Sequence, residues 1–228
     1  MFLQRAHPVS YILLIVLLFQ SCEVFNPAEK IPSYIHIDKF NLNTTQSSEG
    51  SNSSKITDVW AYIDDQLIGA FELPATFPVL FEGQHVITLK AGIKVDGISA
   101  TRAIYPFYEA YNITTTLYPD SIITLNPVIT YSTSAVFVWK EAFEDGGITI
   151  EKTLLSDTII EKTSDTTNVF EGTYSGVIHL DASHSHFEGK SLNKFVLPGG
   201  TKPTFLELDF KTNTEVGIGL YANFSSSV

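Results

Sequence analysis

The densest set of metal-capable side chains lies in "HLDASHSHFEG", which holds His179, Asp181, His184 and His186. On a strand, His184 and His186 would share one face, and two neutral imidazoles with one carboxylate oxygen suit zinc or copper. The same stretch is rich in Ser, Asp and Gly, and that composition reads as a solvated turn, so no metal site is expected. Glu207 and Asp209 of "TFLELDF" point the same way from an alternating segment. A glycosidase needs two carboxyls roughly 5–9.5 Å apart astride a sugar, but acids at alternate positions are more simply the wet face of a strand. No Gly-x-Ser-x-Gly elbow, P-loop or His-Glu-x-x-His motif occurs. Neither a catalytic residue nor a cofactor is expected.

Aromatic side chains are the better candidates for binding. Trp60 and Tyr62 alternate with Val59, Ala61 and Ile63 and so occupy the opposite strand face. "YPFYEAY" gathers Tyr105, Phe107, Tyr108 and Tyr111, and Trp139 follows further on. Flat aromatic faces stack on sugar rings, and Tyr and Trp dominate protein-contact hot spots. Trp60, Tyr62, Tyr105, Tyr108, Tyr111 and Trp139 are therefore the candidate ligand-binding set. The plainer reading is that they fill a second sheet face or a seam between domains.

Position in the chain decides what the lone cysteine, Cys22, does. It ends "YILLIVLLFQSC", whose apolar part, Tyr11–Phe19, is nine residues long. A bilayer-spanning helix needs roughly 20 apolar residues, so this run is too short to span. One fixed positive charge, Arg5, precedes it, and a polar and a small residue follow. That order is the pattern of a secretory signal peptide. "LLFQSC" resembles a bacterial lipobox, with Ser21 in keeping and Phe19 where leucine is usual. The resemblance implies cleavage after residue 21 and acylation of Cys22, with palmitate-like chains anchoring the protein to a membrane. Each buried CH₂ contributes about 0.8 kcal/mol, and stable anchoring takes more than one chain. Only Glu23 is acidic just after Cys22, so the acidic run associated with surface export is weak.

Removing residues 1–21 takes away one cation, Arg5, and no acid, so the net charge of −11 becomes −12. Arg102 is then the only arginine. Basic patches are the footprint of nucleic-acid binding, and this chain has none to offer. With Cys22 acylated there is no disulfide, thiolate nucleophile or Cys-based zinc site, so stability must come from packing.

The remainder is patterned for strands. Residues 22–33 read as a tether holding the globular part off the membrane. "SYIHIDKFNL" places Ile35 and Ile37 on one face, with a phase slip near Asp38 before Phe40 and Leu42. Residues 43–55, rich in Ser and Asn, read as a mobile loop. Asp64–Asp65 supplies a turn, Pro74 and Pro78 confine their segment to an edge or connection, and "HVITLKAGI" alternates again. "ITTTLYPDSIITLNPVITY" reads as a hairpin turning at Pro119–Ser121. Further strands are expected at "YSGVIHLD", "TFLELDF" and "EVGIGLYANF". Tyr174, Ile178 and Leu180 share a face of the first, while Leu206, Leu208, Phe210, Val216, Ile218, Leu220, Ala222 and Phe224 point inward from the others.

The order Asp64, Gly69, Pro74, Gly83, His85 resembles the PEGA-type surface module, a small all-β unit, over about 40 residues. The chain departs from it in having Asp65 where a glycine is usual and in lacking the Pro-Glu-Gly-Ala core. "FEDGGITIE", "VFEGTYSGVIHLD" and "FLELDF" resemble the carbohydrate-binding-type jelly rolls of bacterial envelope lipoproteins, and the whole chain resembles Bacteroidota surface lipoproteins. The expected fold class is all-β: two small β-sandwich or jelly-roll-like domains after a cleaved signal peptide. The boundaries are 1–21 signal peptide, 22–33 lipid-anchored tether, 34–134 PEGA-like β domain and 135–228 jelly-roll-like domain. Because a jelly roll usually has about eight strands, the second domain is expected to stop short of a complete sandwich. The expected role is that of a non-catalytic binding or structural module on the outer membrane, with an envelope protein or a glycan as partner.

Overall fold

The computed structural model describes residues 29–222. The apolar run, Cys22, the start of the tether and Phe224 lie outside the described residues. The chain is all-β. Its strands are β1 (Ser33–Ile37), β2 (Asn41–Leu42), β3 (Asp58–Ile63), β4 (Gln66–Glu72), β5 (Ala75–Val79), β6 (Gly83–Lys94), β7 (Arg102–Ile104), β8 (Tyr111–Leu117), β9 (Ile122–Leu125), β10 (Val128–Ile129), β11 (Ile150–Lys152), β12 (Ile160–Thr163), β13 (Ser175–Ile178) and β14 (Gly189–Ser191). One helical turn, α1 (Gln46–Glu49), and a 3₁₀ turn at Ser99–Thr101 are the helical parts among the described residues. Two compact units result. The first takes the chain up to Asn41, then Ile56–Tyr105 and Ala110–Val128; the second takes Leu42–Lys55, Pro106–Glu109 and the chain from Ile129 onward. The chain thus changes unit several times, where its patterning suggests one boundary near 134.

The first unit is built on β6. One edge of β6 pairs antiparallel with β3, from Ile87 to Gly92. Its other edge serves two strands in succession, β8 along Gly83–Leu89 and β7 along Gly92–Lys94. Strand β4 extends the sheet beyond β3. A second sheet has the order β5–β1–β9, with β9 parallel to β1. Pro78 lies in β5, where an edge strand tolerates its missing N–H.

Alternation along these strands becomes burial. Val59, Ala61 and Ile63 of β3, Ile87 and Leu89 of β6, and Ile35 and Ile37 of β1 are fully buried. The phase slip after Ile37 is present as a break in the strand, and Phe40 is buried beyond it. Phe71 of β4 stacks on Phe77 of β5 with centroids 4.1 Å apart and planes 2° from parallel. The two sheets of this unit therefore face each other across one core, as the expected sandwich requires.

The turn at Asp64–Asp65 joins β3 to β4 with both residues at positive φ, 48° and 64°. A two-residue loop with both central residues left-handed is a type I′ turn, usually Asn-Gly or Asp-Gly. Here two aspartates adopt it, and Asp64 is tied to β6: its N–H donates to the Val86 carbonyl at 2.9 Å, and its Oδ1 accepts the Val86 N–H at 2.9 Å.

Three expectations are corrected. The arms flanking Pro119–Ser121 do not form a hairpin: β8 pairs with β6, and β9 pairs with β1. The turn is captured by β1 instead, because the Asp120 N–H donates to the Pro32 carbonyl and the Tyr34 N–H to the Ser121 carbonyl. Residues 43–55 are not an open loop throughout, since α1 forms there and Lys140 Nζ donates to the carbonyls of Gln46 and Ser47 at 2.9 and 2.8 Å.

The third correction concerns the second unit. Its strands form two short antiparallel ladders, β11–β14 and β12–β13. "TFLELDF" and the described part of "EVGIGLYANF" pair with no strand among the described residues. Leu206, Leu208, Phe210, Val216, Ile218 and Leu220 are each more than half exposed. Tyr174, Ile178 and Leu180 are also exposed. Alternation buries a face only where a second layer covers it, and these segments have none among the described residues. Local side-chain bonds hold this unit instead. Glu141 accepts the N–H groups of Phe143 and Thr149 and the Thr149 hydroxyl. Tyr131 sits between Tyr108 and Phe137, with ring centroids 5.1 and 4.8 Å away.

Candidate functional site

The outer face of the β6 sheet in the first unit carries the most concentrated set of ligand-capable side chains. Burial of Val59, Ala61 and Ile63 turns Trp60 and Tyr62 to the opposite face, where both are half-exposed. Trp60 lies opposite Ala70 and Lys90, and Tyr62 opposite Thr88. Lys90 Nζ stands 5.0 Å from the Tyr62 ring centroid, a cation–π contact. Beside it the Thr88 hydroxyl donates to Asn112 Oδ1 at 2.7 Å. Gly92 makes room for the indole: a Cβ there would come within 3.0 Å of Trp60 Nε1 and of Asp58 Cβ. The result is a sheet surface with two neighbouring rings rimmed by ammonium, hydroxyl and amide groups, which suits a flat polar ligand with apolar faces.

A charge cluster borders this surface. Asp58 is fully buried although it lies on the outer parity of β3. Arg102, the one arginine outside residues 1–21, reaches it with Nη1 3.0 Å from Oδ1. That contact is near enough for charge pairing but off the line of a hydrogen bond, and Oδ1 has no hydrogen-bond donor. Oδ2 accepts from the Thr57 hydroxyl at 2.7 Å. Arg102 Nη2 meets Glu72 Oε2 at 2.6 Å, and Lys94 Nζ meets Glu72 Oε1 at 2.8 Å. Bonds from Lys94 first, then Arg102, hold the Glu72 carboxyl below its ordinary range. Sequence reasoning noted Arg102 only by its rarity; its partner lies in another strand, so no local signal pointed to the pair.

His85 and Asp64, read in the sequence as strand and turn positions and as part of a family resemblance, form a second polar contact in this unit. His85 Nδ1 lies 2.6 Å from Asp64 Oδ2, and Nε2 lies 3.0 Å from the Glu82 carbonyl. Both partners are acceptors, so both ring nitrogens carry protons and the imidazolium is the favoured form. The bond to Asp64 first, then that to Glu82, raises the His85 pKa. The reciprocal bond from His85 first, then the Val86 N–H, lowers that of Asp64. A histidine with both nitrogens engaged has no free lone pair for general-base work, and its geometry is that of a latch between the β3–β4 turn and β6.

The remaining candidates are dispersed. Tyr105 is buried in the first unit, and Tyr111 of β8 lies opposite Leu89 on the core side. Tyr108 belongs to the second unit, where it bridges Tyr131; burial, then nearby Glu207, pushes its pKa up to about 12. Trp139, also in the second unit, donates from Nε1 to the Thr149 hydroxyl at 2.9 Å and stacks on Phe195. The two carboxylates of "TFLELDF" go separate ways: Glu207 accepts from the Tyr131 hydroxyl at 2.6 Å and Asp209 from the Ser53 hydroxyl at 2.9 Å. In the histidine-rich stretch, Asp181 accepts the N–H groups of Ser183 and His184, and Asp157 those of Ser185 and His186. That is turn chemistry. His179 contributes its carbonyl to the Thr158 hydroxyl. Among the described residues no group of three or more His, Cys, Asp or Glu is placed to hold a metal ion.

Two measurements probe these contacts. Arg102→Met leaves Asp58 buried without its counter-charge and is expected to cost about 3 kcal/mol in urea unfolding. Adding Asp58→Asn should recover most of that loss, and a fully additive double variant would rule out the coupling. His85 stabilises the fold through a raised pKa, so its contribution is complete below about pH 6.5, the ordinary histidine value, and fades as pH climbs through the raised one. Asp64, with a lowered pKa, contributes above about pH 4 and is lost only as pH falls to its lowered value. Wild-type stability should therefore decline as pH rises above about 6.5, and His85→Asn should flatten that slope; an unchanged slope would dismiss the latch.

No protein-family model, curated protein or solved structure matches this chain, so the resemblances read from its sequence rest on the residues that suggested them.

Proposed function

We propose that this chain is a lipid-anchored protein of the bacterial cell envelope, held at the outer membrane through Cys22 and serving as a binding or structural module rather than an enzyme. The observation that carries the reading is the sequence "YILLIVLLFQSC": a short apolar run after a single cation, then a small residue and the only cysteine. Two acyl chains on that cysteine suffice for stable attachment without a spanning segment. Among the described residues no helix is long and apolar enough to cross a membrane. The titratable groups of the first unit support a binding or structural role, because Asp58, Glu72, Asp64 and His85 are committed to one another or to neighbouring cations and backbone. The anchor is checked by Cys22→Ser with fatty-acid labelling and membrane fractionation. Wild type should carry label and sediment with membranes, and the variant should do neither. Label persisting on the variant would refute acylation at Cys22.

A second reading is favoured by Trp60 and Tyr62 on the open face of the β6 sheet: the protein binds carbohydrate, stacking sugar rings on the indole and phenol while Lys90 and Asn112 meet hydroxyls. Screening the full chain against a polysaccharide array tests it. Trp60→Ala should weaken any polysaccharide bound by wild type about tenfold, the equivalent of about 1.4 kcal/mol. Binding that survives Trp60→Ala unchanged would place the glycan elsewhere, and a blank array would retire this reading.

A further inference from the structure

The chain enters the first unit at an apolar patch. Ile31, Leu80, Phe81 and Pro119 line a shallow depression of about 490 Å³, with Lys30, Glu82 and His85 at its polar side. The patch continues past the depression. Ile122 is paired with Tyr34 in the register of β1 and β9, and the Tyr118 carbonyl accepts the hydroxyl hydrogen of Ser33 at 2.7 Å. Ile31, Leu80, Tyr118 and Ile122 are 62%, 60%, 63% and 66% exposed, although all four surround the buried start of β1. Large apolar side chains exposed singly are ordinary; four around the start of one strand, two of them lining the depression, mark a contact surface.

Chain length says which contact. Residues 23–30 separate Cys22 from Ile31, and the nine residue steps between them span at most about 32 Å when fully extended. A lipid on Cys22 therefore keeps this end of the first unit within about 3 nm of the bilayer. At that range the effective concentration of lipid surface is high enough that a small apolar seat suffices. The side chains fit an interface: four aliphatic or imino groups, Ile31, Leu80, Pro119 and Ile122, to enter the acyl boundary, and a tyrosine whose ring is apolar and whose hydroxyl stays wet. The charged groups nearby, Lys30, Glu82, His85 and Asp120, are of mixed sign, which suits zwitterionic rather than strongly anionic headgroups.

We infer that the end of the first unit formed by Ile31, Leu80, Tyr118, Pro119 and Ile122 seats directly on the membrane surface to which Cys22 is anchored. The inference rests on the lipid-anchor reading. It adds that the tether does not hold this unit away from the membrane: the lipid brings the patch down, and the patch fixes which face of the unit looks outward.

A tryptophan reporter tests it. The full-length acylated protein carrying Tyr118→Trp is reconstituted into phosphatidylethanolamine–phosphatidylcholine vesicles with and without brominated acyl chains, and fatty-acid label on Cys22 is measured in the same sample. Contact predicts that bromine removes at least half of the emission added by the new indole, over the wild-type background of Trp60 and Trp139. Leu80→Asp with Ile122→Asp in the same reporter should abolish that quenching while acylation and vesicle flotation stay unchanged. Label present without quenching would overturn the seat and leave the anchor standing. Quenching that survives the double aspartate variant would also overturn it, because the patch would then not be what holds the unit down. Absence of label on an otherwise folded protein would take away the anchor reading and the seat with it.

Discussion

The first unit depends on one strand. β6 runs twelve residues, from Gly83 to Lys94, and supplies hydrogen-bonding partners to β3 on one edge and to β8 and β7 on the other. Its inward side chains, Ile87 and Leu89, sit at the centre of the core, while Thr88 and Lys90 dress the outer face beside Trp60 and Tyr62. Because successive side chains on a strand alternate between faces, a one-residue slip of β6 against β3 would carry Ile87 and Leu89 into water and Lys90 into the core. The same register that builds the core thus also fixes the composition of the candidate binding face.

Two electrostatic contacts hold that register from the ends. At one end of β3, Asp58 faces Gly92 and is matched by Arg102 from β7. At the other end, the aspartate turn following Ile63 bonds to Val86 and His85 of β6. Each contact also resolves a local difficulty. Arg102 compensates a carboxylate removed from water, which is costly when unpaired. The bonds to β6 offset the left-handed backbone of Asp64, which L-residues with a Cβ visit at a cost. Asp65, at the position where glycine is usual, is left-handed as well, and the bonds that tie the turn to β6 come from its neighbour Asp64.

The second unit shows the opposite balance. Its chain has comparable alternation, but its ladders are two strands wide and the apolar side chains of 204–210 and 215–222 remain in solvent. What order it has comes from short polar loops closed by side-chain carboxylates, such as Glu141 around Thr149 and Glu144 around Thr173 and Tyr174. Isolated two-stranded ribbons are marginal in water without a facing layer. The candidate binding face and the His85–Asp64 latch both belong to the first unit.

The sequence by itself determined the local features. Period-two alternation marked Val59, Ala61 and Ile63 as inward and Trp60 and Tyr62 as outward, because side-chain direction on a strand follows from position alone. Pro78 marked an edge, because proline lacks the donor that a central strand needs. The length and flanks of the apolar run, with Cys22 at its end, carry the anchoring proposal. Tertiary structure decided everything that joins distant residues. The segments on either side of Pro119 look like two arms of a hairpin, yet each found a partner elsewhere, since ladder bonds depend on which edge is open and not on sequence proximity. Arg102 reached Asp58, and the ends of β5, β8 and β9 gathered exposed apolar groups around the start of β1. No periodicity encodes those meetings, because each is set by how two sheets close over a shared core.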